Sequence, residues 1–178
     1  DHASLQKLGI EALKIENSNK RINPKQTQAS HVLGSTDIDG KGIAGIEKSL
    51  NKKLNDGHDI SITIHSGIQH ITKTLLSEQI QKFKAEGGAG IVMDAKNGEI
   101  YALVSLPDYN ANNYNKIVGK KLFNKATKGT YELGSTLKLI TAAVALESDL
   151  INENEVFDVS SPLRISSKTI TDYHPLNY

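Results

Sequence analysis

The sequence predicts a mixed fold, α+β or α/β, with helices packed on an antiparallel sheet behind a small module of strands and loops. Three observations predict it. Ile60-Ser-Ile-Thr-Ile64 alternates apolar and polar residues, as a half-buried strand does. Ile68, Ile71, Leu75, Leu76, Ile80 and Phe83 then recur at helical spacing. Two further apolar runs, Ala89 to Met93 and Glu99 to Leu106, are joined through Asn97-Gly98, the strongest short hairpin signal.

The elements follow in chain order. Residues 1 to about 58 are polar, with short apolar clusters and a glycine-rich stretch from Gly34 to Gly45, the pattern of a small extended module of strands and loops. Within it Asp37-Ile-Asp-Gly-Lys-Gly42 has the look of a calcium loop but fails at its fifth position, Lys41, and at its twelfth, Lys48, where a bidentate glutamate is required. A boundary is expected near Asp56-Gly-His-Asp59, dividing 1–58 from 59–178. After the strand at Ile60, the helix is expected to run to a stop at Gly87-Gly88. The hairpin follows. Leu139-Ile-Thr-Ala-Ala-Val-Ala-Leu146 is apolar almost all round and predicts a buried helix.

Composition excludes several classes. Net charge is +1 with 21 basic and 20 acidic residues interspersed, so no basic stripe points to nucleic acid and no polybasic cluster to anionic lipid. There is no cysteine, hence no disulfide framework and no thiolate metal site. No run approaches the 18 apolar residues of a membrane span. His31, His58, His65, His70 and His174 show neither metal-protease nor triad spacing and read as structural or exposed. Asp94 and Glu99 flank the hairpin turn and read as surface acids.

The chemistry-bearing stretch is Tyr131-Glu-Leu-Gly-Ser-Thr-Leu-Lys138. On a helix, residues i and i+3 share a face, so the Ser135 hydroxyl and the Lys138 amine can approach each other, a nucleophile beside a base. A serine N–H left unpaired in the first helical turn can donate to an oxyanion, and Gly134 leaves room for backbone to approach. With 15 serines and 19 lysines in 178 residues, about 1.6 Ser-x-x-Lys matches are expected by chance. Three occur. Ser4 to Lys7 and Ser49 to Lys52 lie in polar, lysine-rich surroundings and read as solvated surface. Taken as a bare tetrapeptide, Ser135 to Lys138 also fits a helix N-cap followed by an exposed lysine.

Context decides between those readings. His31-Val-Leu-Gly-Ser-Thr-Asp-Ile-Asp-Gly-Lys-Gly-Ile-Ala-Gly-Ile-Glu47, then Gly90-Ile-Val-Met-Asp-Ala-Lys-Asn-Gly-Glu-Ile-Tyr-Ala-Leu-Val-Ser-Leu-Pro107, then Phe123-Asn-Lys-Ala-Thr-Lys-Gly-Thr-Tyr-Glu-Leu-Gly-Ser-Thr-Leu-Lys138 stand in the order and spacing of one family. The chain resembles the class B penicillin-binding proteins, most closely their cell-division (septal) branch. The first block is similar to the family's non-catalytic pedestal, the second to the opening hairpin of its transpeptidase domain, the third to its active-serine segment. Of the signature set Ser-x-x-Lys, Ser-x-Asn and Lys-Thr-Gly, only the first follows the family's pattern here. Lys168-Thr-Ile170 ends in isoleucine, and Ser49-Leu-Asn51 precedes the serine and reads as coincidence. Thr169-Ile-Thr-Asp-Tyr-His-Pro175 resembles what precedes the second motif in the septal branch.

The resemblance implies a pedestal over 1–58 and the N-terminal part of a transpeptidase domain, its sheet incomplete, over 59–178. It implies that Ser135 attacks the D-Ala-D-Ala carbonyl of a peptidoglycan stem peptide while Lys138 takes its proton, and that β-lactams block the serine. No metal or organic cofactor is implied. Its implied partners are divisome membrane proteins, including a lipid-linked glycan polymerase, at the extracytoplasmic (periplasmic) face of the cytoplasmic membrane, to which a segment not found here anchors the parent. The chain itself is then a soluble fragment, truncated at both ends, with little or no acyl-transfer activity. Its hairpin would present an open edge, giving self-association or local disorder near Ser135. Tyr109 to Tyr114 fits a rim of the substrate cleft and equally a plain loop. Other readings are an elongation-type class B protein, a class D-type β-lactamase or penicillin sensor, which would not be expected to carry the His31 to Glu47 block, and a non-catalytic module that docks division proteins.

Overall fold

The computed structural model describes Lys7 and residues 20–171. The chain divides into two compact units, Asp1–Thr130 and Tyr131–Tyr178.

The first unit opens with a short helix α1 (Ser30–Leu33), a two-stranded antiparallel ribbon β1 (Ser35–Thr36) and β2 (Gly42–Ala44), and short helices α2 (Gly45–Ser49) and α3 (Asn51–Asn55). The calcium-like sequence is the ribbon turn. Asp37 Oδ1 accepts the backbone N–H groups of Asp39 (3.0 Å) and Lys41 (2.8 Å), a turn role that local backbone chemistry fully explains. Ser49 and Lys52 are exposed on α2 and α3, as the surface reading requires, and Asn51 Oδ1 accepts from Gly42 N at 2.7 Å.

Ile60–Ile64 forms no strand and bends at Thr63, a departure from expectation. His65 N–H donates to Tyr101 O at 2.9 Å and the Thr63 hydroxyl to Ile100 O at 2.7 Å, too few contacts for a ladder. Helix α4 (Ser66–Lys82) follows, begun by His65, whose Nδ1 accepts from Ile68 N. The helix stops earlier than the glycine pair suggested. Phe83 is its C-cap and Lys84 takes a left-handed φ of 51°, so that Ala85 N–H reaches back to Ile80 O (2.9 Å) in a Schellman-type closure.

The glycines serve packing instead. In the hairpin β3 (Gly88–Met93) and β4 (Ile100–Leu106), Gly88 and Gly90 face α4, where an added Cβ would lie 3.2 Å from Leu76 Cδ1 and 3.2 Å from Thr72 Cγ2 respectively. Their cross-strand partners Leu106 and Val104 face the same way and are buried with Ala102, forming the core of this unit. The connection is wider than a two-residue turn. Asp94 N–H bonds to Glu99 O and Gly98 N–H to Asp94 O, both at 2.9 Å, with Gly98 alone at positive φ (77°). Asp94 Oδ1 accepts Lys96 N–H and Oδ2 the Tyr101 hydroxyl, which together hold its carboxyl below its ordinary range, so this turn acid acts locally.

Beyond β4 the chain folds back over residues 20–30. Tyr109 is 5% exposed, and its hydroxyl donates to Ser30 O at 3.0 Å. Burial raises its pKa to about 12, so the phenol stays a donor. Asn112, in a 3-10 turn over Ala111–Lys116, accepts from Asn23 N (2.7 Å) and donates to Asn23 O (2.9 Å). The segment 109–114 is therefore a clasp on the N-terminal stretch, where sequence suggested a cleft rim or a loop. Lys73 of α4 bridges Asp108 and donates to Thr27 Oγ1, adding a second tie. His31 stacks edge-on against Tyr109 and bonds Lys121 O, with desolvation lowering its pKa: a structural histidine, as expected. A 3-10 turn at Gly119–Leu122 and helix α5 (Lys125–Lys128) close the unit, Lys125 N–H bonding the buried Ser105 hydroxyl at 2.9 Å.

Among the described residues the hairpin sheet has two strands. Side-chain and backbone groups of residues 63–69 occupy the outer edge of β4, whereas β3 has no strand partner on its other side among the described residues. Ile91 and Met93, on the face away from α4, are 51% and 59% exposed. Such an edge templates pairing. The 178-residue chain is expected to self-associate with rising concentration, and Ile91→Lys to suppress it; a monomer by light scattering across the whole range would refute this.

Candidate active site

The second unit contains a 3-10 turn at Gly134–Thr136, helix α6 (Leu137–Glu147) and an antiparallel ribbon β5 (Leu163–Ile165) and β6 (Lys168–Ile170). The serine segment thus forms a 3-10 turn followed by a helix. Lys168-Thr-Ile170 is a strand of that ribbon, and Asp172 to Pro175 of the septal-like segment, His174 among them, lie outside the described residues.

Gly134 enters the turn at a φ of 54°, which glycine adopts at least cost, and its would-be Cβ meets nothing within 4 Å. The glycine therefore serves the turn, not a close approach of backbone. Leu133, Thr136 and Leu137 have right-handed helical backbone on either side of the left-handed Gly134, and the 3-10 turn runs directly into the α-helix at Thr136. Ser135 occupies the middle of the turn and Lys138 the second residue of α6, three positions on and on the same face. Thr136 N–H is taken by Leu133 O (3.1 Å), while among the described residues Ser135 N–H has no backbone acceptor. An orphan donor beside a serine hydroxyl at a helix start is what a developing oxyanion needs.

Both side chains are exposed, and no hydrogen bond joins them in this structure. The helix behind them differs from expectation. Leu139 is 72% exposed, and Ile140, Val144 and Leu146 are also exposed. The β5–β6 ribbon of the same unit is exposed along its length, so it offers no apolar layer to cover α6. Composition fixed the helix but not its burial, which depends on cover from elsewhere. Among the described residues no group of three or more His, Asp or Glu side chains is placed to hold a metal ion.

The comparisons with known proteins agree with this arrangement. The family model for the penicillin binding protein transpeptidase domain matches residues 88–177, taking in the hairpin, Ser135 and Lys138. The probable peptidoglycan D,D-transpeptidase FtsI of Caulobacter vibrioides is 30% identical over 172 residues, covering 94% of this chain and 29% of that protein. The Escherichia coli K12 peptidoglycan D,D-transpeptidase FtsI is 25% identical over 194 residues, covering 94% of this chain and 33% of its own length. Among solved structures, the D,D-transpeptidase domain of a peptidoglycan glycosyltransferase from Eggerthella lenta superposes with a TM-score of 0.72 at 31% identity, over 89% of this chain and 39% of that one. A peptidoglycan synthetase from Bifidobacterium adolescentis gives 0.73 at 25% identity, over 98% of this chain and 37% of that one. The chain spans about a third of the length of the curated relatives it matches. With a family match over half its residues and mixed helices and antiparallel strands in the same arrangement, the chain belongs to the penicillin-binding protein transpeptidase domain family.

Proposed function

We propose that this chain carries the active-serine segment of a peptidoglycan D,D-transpeptidase acting in septal wall synthesis. The observation that carries the reading is Ser135 at the start of helix α6, its N–H without a backbone acceptor among the described residues, with Lys138 three positions on. Ser135 Oγ attacks the carbonyl of the D-Ala-D-Ala bond and Lys138 takes the hydroxyl proton. The C–N bond breaks, D-alanine leaves with a proton, and an amine of a neighbouring stem takes the acyl group from serine. Residues 1–58 are the pedestal and 59–178 the N-terminal part of the catalytic domain. Divisome membrane proteins, a lipid-linked glycan polymerase among them, are its partners at the extracytoplasmic face. The septal assignment is supported by Tyr-Glu-Leu-Gly ahead of Ser135 and Asp-Tyr-His after it.

The 178 residues alone are expected to show little acyl transfer, because the chain supplies neither a Ser-x-Asn after the serine nor a Lys-Thr-Gly. The test is therefore intact mass after benzylpenicillin exposure on the chain extended past Tyr178 to include both motifs. One adduct per chain, lost in Ser135→Ala, is the expected result. Absence of an adduct on a folded extended chain would overturn the assignment and leave a non-catalytic docking module.

A further inference from the structure

A cavity of about 430 Å³ lies in the first unit, away from the serine segment in sequence, between residues 20–23, the β1–β2 turn and the 3-10 turn at Ala111–Lys116. Its charge is unbalanced. Lys20, Arg21 and Lys116 line it against a single acid, Asp37, whose Oδ1 already accepts two backbone N–H groups of its own turn. The ammonium groups of Lys20 and Lys116 have no ion-pair partner among the described residues. Arg21 meets Glu47 through Nε at 2.7 Å and remains 53% exposed, leaving the outer edge of its guanidinium to the cavity. Asn113 and Asn115 add exposed amides, and Ile38, 81% exposed, an apolar rim.

Two unpaired ammonium groups, the outer edge of an ion-paired guanidinium, free amides and one apolar contact match an acidic molecule that also carries amide groups. Carboxylates suit the guanidinium edge and the ammonium groups, peptide and N-acetyl amides suit the asparagines, and a small alkyl group suits Ile38. A simple inorganic anion would leave the amides and the apolar rim unused. We propose that this cavity is an accessory, non-catalytic site for a peptidoglycan glycopeptide, holding the carboxylates of an uncross-linked stem. The proposal rests on the peptidoglycan reading above. It adds a second place where the polymer is held, built on the segment that the Asn112 clasp fixes to the unit.

The test is a titration of the isotope-labelled 178-residue chain, carrying Ile91→Lys to suppress self-association, with a soluble disaccharide-pentapeptide, read on the side-chain amide signals of Asn113 and Asn115. Saturable shifts there are expected, weakened about tenfold or more in Lys20→Glu/Lys116→Glu and by added salt. Both lysines are exposed, so the double variant retains the fold, which circular dichroism checks. No shifts, shifts confined to residues around Ser135, or equal binding by the double variant would each overturn the site. So would inorganic phosphate producing the same shifts at the same concentration, which would make this a general anion pocket. The penicillin adduct separates the two claims. An adduct without pocket shifts removes only the accessory site, while pocket shifts without an adduct on the extended chain remove the transpeptidase reading and leave a glycopeptide-binding surface.

Discussion

Lys138→Met is expected to slow acylation of Ser135 by benzylpenicillin about 10²–10⁴-fold, the contribution of a positioned general base. The rate would be followed by quenched intact mass on the chain extended past Tyr178. Methionine has nearly the helix propensity of lysine, and the side chain at 138 is exposed in the second residue of α6, so the fold has little reason to change. Lys138→Arg is the sharper variant. Arginine keeps the positive charge at that place but stays protonated and cannot accept the serine proton. If Lys138 is the base, arginine should be nearly as damaging as methionine. Retention of the rate within tenfold by arginine would mean that position 138 supplies charge alone, and the proton would need another acceptor. No bond joins Ser135 to Lys138 in this structure, and catalytic hydrogen bonds commonly tighten only once substrate is bound, so the rate is the informative readout.

How much of this was legible in the sequence depends on whether the determinant was local. Helix α4 and the β3–β4 hairpin were, because helical spacing is written into Ile68 to Phe83 and the hairpin into two apolar runs joined through Asn97-Gly98, whereas the two-residue alternation of Ile60 to Ile64 formed no strand. The serine segment was legible as a motif on a helix start, and Gly134 as a residue with a special job, though the job is a positive φ. Determinants that act across the chain were not legible. Gly88 looked like helix punctuation because its partner is Leu76, twelve residues earlier and on another element. Asn112 looked like loop composition because its partner is the backbone of Asn23. Leu139 to Leu146 looked buried because apolar character is local, whereas cover is not. A polar residue inside a helix is the hardest to place of all, since pattern alone assigns it to solvent.

Gln69 is that residue, and its replacement is expected to have the largest effect on stability. It is 2% exposed, although its neighbours Gly67 and His70 face water. Its side-chain amide donates to Leu103 O at 2.9 Å and accepts from Leu103 N at 2.8 Å. One carboxamide thus stands in for a neighbouring strand on the outer edge of β4, completing what Thr63 and His65 begin. Gln69→Leu conserves volume roughly but strands a backbone donor and a backbone acceptor. At about 1–3 kcal/mol for each unsatisfied group, less what the added apolar contact returns, a loss of about 3 kcal/mol in urea unfolding is expected. Gln69→Glu gives the diagnostic pH dependence. The carboxylate still accepts from Leu103 N but opposes Leu103 O, and burial disfavours its charge, so its folded pKa should rise above the usual value of about 4.3. A raised folded pKa means that stability is present below the unfolded value and is lost as pH rises through the folded one. The glutamate variant should therefore approach wild-type stability in acid, where the protonated carboxyl donates to Leu103 O, and fall away toward neutral pH. The leucine variant has nothing to titrate there, so its deficit should not close in this way. A leucine variant within about 0.5 kcal/mol of wild type would show that β4 finds other partners for that edge, and the strand-mimic role of Gln69 would be wrong.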